Sequence, residues 1–279
     1  EGERDCLIRT EKYLVENGYA TAKQVEELKD EVVQEVRTAS KQALQAPQPR
    51  AEDVLDNLYG APDLEKGDER RPATKGEDLT MAQAINRLLF QEMERNERIL
   101  VFGQDVADAS REEVLDDCKG KGGVFKVTHG LQREYGSDRV YNTLLSENSI
   151  VGRAVGLAVR GLKPIAEIQF LDFIWYAFMQ LRAELATMRF RSNGNFSAAA
   201  IIRVPVGGFL RGGSIYHSQT AESLFVACPG LKIAYPSTAA DAMGLLRSAI
   251  HMDDPVIFFE HKHLYYQSHS RSTDPGPDY

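Results

Sequence analysis

Cysteine is scarce in this 279-residue chain: Cys6, Cys118 and Cys228 are all there is. An odd number without metal-ligand spacing fits a reducing compartment better than a disulfide framework, and the cytoplasm is the default expectation. No apolar run approaches the roughly 20 residues that cross a bilayer, and the start lacks the basic and apolar regions of a secretory signal, so no membrane partner is expected. Basic charge is also short. The 33 lysines and arginines face 41 acidic residues, a net charge of -8, which argues against nucleic acid as a partner and favours small molecules or proteins. The first residue is Glu1 rather than methionine, which reads as a fragment boundary, a cleavage point or the edge of an ordered region.

What is present, 43% hydrophobic residues, suffices for one large core or two modest ones. Residues 1–59 read as helical. Asn17-Gly18 stops a first helix, Thr21-Ala22-Lys23-Gln24 has the capping-box pattern, and Val25, Leu28, Val32, Val36, Ala39 and Ala43 form one apolar stripe along a second helix ending near Pro47. With few large apolar residues of its own, this block is expected to dock on another domain or subunit. Residues 60–78, rich in proline, glycine and charge, read as a linker. From 79 to 268 helix and strand patterns alternate. Strands are expected at 99–102, 140–143, 164–168, 199–203, 232–235 and 256–259, with helices at 81–96, 150–160, 174–191 and 239–251. The implied fold class is α/β, a mostly parallel sheet covered by helices on both faces. The stretch 108–123 reads as a surface loop with a helical turn, and 269–279 as a second linker.

Three polar islands interrupt apolar surroundings: Glu147 in Leu144-Leu145-Ser146-Glu147-Asn148-Ser149-Ile150, then Glu167-Ile168-Gln169-Phe170, then Arg211-Gly212-Gly213-Ser214-Ile215-Tyr216-His217-Ser218-Gln219. Taken alone, Glu147 reads most simply as a carboxylate attracted to a helix N-terminus. All three islands follow expected strands, however, and ligands of parallel sheets sit at the strands' carboxyl ends, so one crevice could gather them. The glycines before His217 allow unusual backbone angles, and a histidine can move protons near neutral pH.

The order of these islands resembles the β-type, pyrimidine-binding part of the thiamin-diphosphate-dependent E1 component of 2-oxo acid dehydrogenases, of branched-chain and pyruvate type. Further carriers are Val101-Phe102-Gly103-Gln104-Asp105-Val106, Gly122-Gly123-Val124-Phe125, Arg203-Val204-Pro205, Cys228-Pro229-Gly230-Leu231-Lys232 and Phe258-Phe259-Glu260. Residues 1–59 resemble the C-terminal end of the α-type subunit, which makes the chain the middle of an α-β fusion followed by an absent C-terminal domain. The resemblance implies that Glu147 hydrogen-bonds a pyrimidine nitrogen of the cofactor and favours its imino tautomer. It implies that Leu145, Gln169 and Phe173 line the pyrimidine ring, Phe173 standing where tyrosine is common. His217 is implied to bind the 2-oxo acid and to assist acyl transfer to a lipoyl-bearing E2. Asn148-Ser149 departs from the family wording and bears on helix geometry more than on Glu147.

The diphosphate and its Mg2+ are implied to be held by an α-type domain outside this chain, because no Gly-Asp-Gly motif with a downstream asparagine occurs here. No metal ligand is expected within the chain, although 198–202 and 249–254 match a region where some relatives hold a monovalent cation with backbone carbonyls. The chain carries half a site and is expected to be inactive alone, to associate with the diphosphate-binding half, and to form a homo-oligomer. Two other readings stay open: a transketolase-like or deoxyxylulose-phosphate-synthase-like enzyme, and a non-catalytic assembly module.

Overall fold

The structure is a computed structural model describing residues 4–61, 72–277 and 279; the middle of the expected linker, 62–71, lies outside the described residues. The chain divides into two compact units, Glu1–Val54 and Leu55–Tyr279. In the first, α1 (Cys6–Glu16) ends at Asn17, and Gly18 takes a φ of +71°. Helix α2 (Ala22–Gln45) begins with the expected capping box: Thr21 Oγ1 accepts from Gln24 N–H, and Gln24 Oε1 accepts from Thr21 N–H. Lys29 pairs with Glu11 at 2.6 Å to link the two helices. Neither helix buries a residue.

The second unit is built on a six-stranded parallel sheet in the order β3-β2-β4-β5-β7-β6, with β2 (Ile99–Gly103), β3 (Val140–Asn142), β4 (Lys163–Glu167), β5 (Ile201–Val206), β6 (Lys232–Ala234) and β7 (Val256–His261). A two-residue β1 (Asp78–Leu79) pairs antiparallel with β8 (Ser272–Thr273), which ties the expected C-terminal linker to the start of the unit. Apolar strands buried on both faces explain the near-continuous hydrophobic runs in the sequence. Ile99, Val101, Ile201, Val256 and Phe258 point into one core, shared with α3 (Met81–Arg95) and α8 (Ala239–His251). Phe102, Ala166, Ile202, Val204, Ile257 and Phe259 point into the other, covered by α5 (Glu147–Val159) and residues 171–185. Three short helices complete the unit: α4 (Leu131–Tyr135), α6 (Met188–Arg191) and α7 (Glu222–Val226).

One expectation fails in detail. Instead of a continuous helix over 174–191 the chain makes a 3₁₀ stretch, Leu171–Ala177, a π turn, Gln180–Leu185, and then α6. Leu181 and Leu185, one near each end of the widened turn, are both buried in the core; such bulges recur near functional sites. The stretch 108–123 carries a single helical turn, Glu112–Val114, as expected.

Candidate functional site

From β2 the chain crosses outward to β3, and from β4 it proceeds the opposite way to β5, so the sheet's switch point lies between the carboxyl ends of β2 and β4. Gly103 closes β2 there. A Cβ at this position would stand 2.7 Å from the backbone oxygen of Glu167, so only glycine lets the strands meet this closely. Asn142, ending β3, accepts from the N–H groups of Val106 and Ala107 at 2.7 and 2.8 Å and so holds the two loops of this edge together.

The expected site residues all leave strands at this one edge. Leu145 and Glu147 follow β3. Glu147 is the first residue of α5, half-buried, with Ser146 as an N-cap whose side chain makes no capping bond. Its carboxylate has no hydrogen-bond or ion-pair partner among the described residues, and Leu145 is 78% exposed. Gln169 follows β4 and is buried, its Nε2 without a partner. Beyond β5 the loop returns to its own base, where Gly207 N–H donates to Gln219 O at 2.9 Å. His217 lies on that loop with Nδ1 2.9 Å from Gly213 O.

The structure brings His217 against Phe170 and Phe173, edge to face, with ring centroids 4.4 and 5.7 Å apart. Phe170, Phe173 and His217 form one aromatic-walled cluster, and Gln169 precedes Phe170 in the chain. Glu147 and Leu145 stand on the same edge on a separate loop and share no hydrogen bond or ion pair with that cluster. Trp175 donates from Nε1 to Gln219 Oε1 at 3.2 Å, and Tyr176 is exposed.

Beneath the edge lies a buried ionic network that the sequence did not announce. Arg203 Nε and Nη2 hold Glu260 at 2.6 and 2.7 Å, Arg203 Nη1 reaches Glu167 at 2.9 Å, and Tyr265 donates to Glu260 at 2.6 Å. Burial pushes Glu167 up to about 7, against the pull of Arg203. The same burial opposes the charge of Arg203, but the two carboxylates hold its guanidinium above its ordinary value. Sequence reasoning also passed over Asp172 and Lys262, both buried. Asp172 is the one acid in the apolar run 170–178, the same signal that singled out Glu147. Among the described residues no group of three or more His, Cys, Asp or Glu is placed to hold a metal, and no helix is long and apolar enough to cross a membrane.

Residues 77–267 match the family model described as the transketolase pyrimidine-binding domain. The β subunit of 2-oxoisovalerate dehydrogenase from Bacillus subtilis (strain 168) is 45% identical over 187 residues, 67% of this chain and 53% of that protein. The β subunit of the pyruvate dehydrogenase E1 component from Acholeplasma laidlawii is 46% identical over the same shares. A solved chain titled split gene transketolase, inactive beta4 tetramer, aligns with a TM-score of 0.48 and 19% identity, covering 66% of this chain and 51% of that one. The chain spans about half the length of the curated relatives it matches.

Proposed function

The chain belongs to the transketolase pyrimidine-binding domain family, in its E1 β-subunit form, and on that premise we propose that it is the pyrimidine-binding portion of a 2-oxo acid dehydrogenase E1 that works with thiamin diphosphate. The single observation that carries the reading is the gathering of Glu147, Gln169 and His217 along one carboxyl edge of the sheet, within the matched residues. The residues fit the cofactor's aminopyrimidine. Gln169 offers a buried amide with a free donor, Phe173 an aromatic face, Leu145 an exposed apolar side chain, and Glu147 a carboxylate with no ion-pair partner among the described residues.

When bound, the cofactor supplies the carbanion chemistry that cleaves a 2-oxo acid. The chain's own residues tune and orient. Glu147 would share a proton between its carboxylate and a pyrimidine nitrogen. Gln169 fixes the ring's rotation by its amide, and Leu145 with Phe173 excludes water from its faces. His217, braced by two phenylalanine rings, is positioned to bind the carboxylate of the oxo acid and to move a proton during acyl transfer to a lipoyl-bearing E2; such help is typically worth about 10²- to 10⁴-fold in rate. The diphosphate and its Mg2+ belong to an α-type half outside this chain, and the helical unit at 1–59 is the end of that half. The assembled enzyme is a cytoplasmic homo-oligomer. Branched-chain 2-oxo acids are the first substrates to test and pyruvate the second, since relatives named for each are almost equally similar.

The test uses the full-length parent protein with thiamin diphosphate and Mg2+. Reduction of an artificial electron acceptor dependent on a 2-oxo acid supports the proposal. Activity with aldose phosphates and none with any 2-oxo acid contradicts it.

A further inference from the structure

The amino edge of the sheet, opposite the candidate site, offers a place for a cation. Helix α8 ends at His251, and Met252 N–H closes its last turn on Ser248 O at 2.9 Å. The carbonyls of 249–252 have no further amide of the helix to accept from, and they form the negative end of its dipole. The resemblance drawn from the sequence puts a monovalent cation here, on backbone carbonyls of 198–202 and 249–254.

The oxygens do not suit a free ion, because donors of the chain itself engage them. Lys163, the first residue of β4, donates from Nζ to Met252 O at 2.6 Å. Asp253 O accepts from Arg189 Nη2 at 2.7 Å and from Ser197 Oγ at 3.0 Å. In the other segment Ala198 O accepts from Ala200 N–H at 2.7 Å, and Ala200 O from Val256 N–H at 2.9 Å. A bare monovalent cation needs several carbonyls turned on one point together. What stands at Met252 O is an ammonium of the same charge.

Lys163 is buried, at 8% exposure, a costly place for a charge that nothing compensates. Burial pulls its ammonium down to about 8, and the carboxylates of Asp253 and Asp254 resist the fall. It is therefore charged at neutral pH. Both carboxylates have closer partners: Asp253 binds Arg189 and Ser197, each at 2.6 Å, and Asp254 binds Lys232 at 2.9 Å and Gly60 N–H at 2.6 Å. The hydrogen bond to Met252 O is what fixes the ammonium at the end of α8.

We propose that Lys163 is the resident cation of this corner: its ammonium holds the carbonyl end of α8 where some relatives use a monovalent ion, and it excludes such an ion from this chain. The inference concerns the chain's own carbonyls and stands or falls apart from the function proposed above.

The test compares wild type with Lys163→Ala in the full-length protein, in potassium chloride and in tetramethylammonium chloride of equal ionic strength. It is read by hydrogen exchange of the peptides covering 246–256, which confines the result to this corner. Wild type is expected to exchange alike in the two salts. Lys163→Ala loses a charge-assisted hydrogen bond and is expected to exchange about tenfold faster in tetramethylammonium, and rising K+ slows it again to a saturating limit. Protection of the wild-type peptides by K+ overturns the proposal, because a free ion then binds despite the ammonium. So does a variant that exchanges like wild type, or one that loosens and ignores K+. If the variant does not fold in tetramethylammonium, recovery of the fold by K+ becomes the readout, and no recovery overturns the proposal.

Discussion

Arg203 grips Glu260 with two nitrogens and has one left for Glu167, at 2.9 Å. One guanidinium therefore serves two carboxylates in a site sealed from water, and the carboxylate with the single bond is the one that burial favours as the neutral acid. Such networks are weak evidence for net stability, because desolvation offsets the attraction. Their effect here is to hold β4, β5 and β7 in fixed register directly below the edge that carries Gln169 and Lys262.

A pH dependence follows from Glu167, raised from 4.5 to about 7. Between these values the folded protein keeps a proton that the unfolded chain has released, so stability contributed by this group is present at pH 4.5 and lost as pH rises through about 7. Glu167→Gln removes that dependence while keeping an acceptor for Arg203. Its unfolding free energy should match wild type near pH 5 and exceed it by on the order of 2–3 kcal/mol at pH 8, as measured by urea denaturation at the two pH values. Equal pH profiles for the two proteins would refute the assignment.

Gly230 has a φ of +96°, and a Cβ there would lie 1.9 Å from the backbone oxygen of Ala186. The Cys228-Pro229-Gly230-Leu231 run is therefore a close backbone crossing that no side chain can enter. Gly230→Ala is expected to destabilise the domain by about 2 kcal/mol or more, seen as a lowered thermal midpoint.

Gly156 behaves oppositely, since a Cβ added there meets nothing within 4 Å. Within the domain, Gly156→Ala is expected to be neutral or to stabilise α5 by up to about 1 kcal/mol. If α5 meets a neighbouring helix in the assembled enzyme, the same substitution weakens association. Thermal midpoint and sedimentation velocity, measured together, separate the two effects.

Much of the fold was legible because its signals are local. The strands are apolar runs bounded by turn residues, and the capping box of Thr21 with Gln24 carries its own hydrogen-bond geometry; a second box, Thr80 with Gln83, opens α3 and went unread. The π turn was not legible, because Leu181 and Leu185 keep ordinary helical spacing and the widening of the turn leaves no mark on the periodicity. The three islands of the candidate site stand out in the sequence because each is a polar interruption of an apolar stretch. The Arg203 network could not be read there, since its partners are 36 to 57 residues apart and meet only when separate strands align.

The central claim is that Glu147 serves the pyrimidine ring of thiamin diphosphate. Its most direct test is the rate at which the thiazolium C2 proton of the bound cofactor exchanges with deuterium, read by NMR after acid quench, in the full-length protein and its Glu147→Gln variant. The account predicts exchange slowed at least about 10²-fold in the variant with cofactor still bound. Equal rates in the two proteins would contradict it.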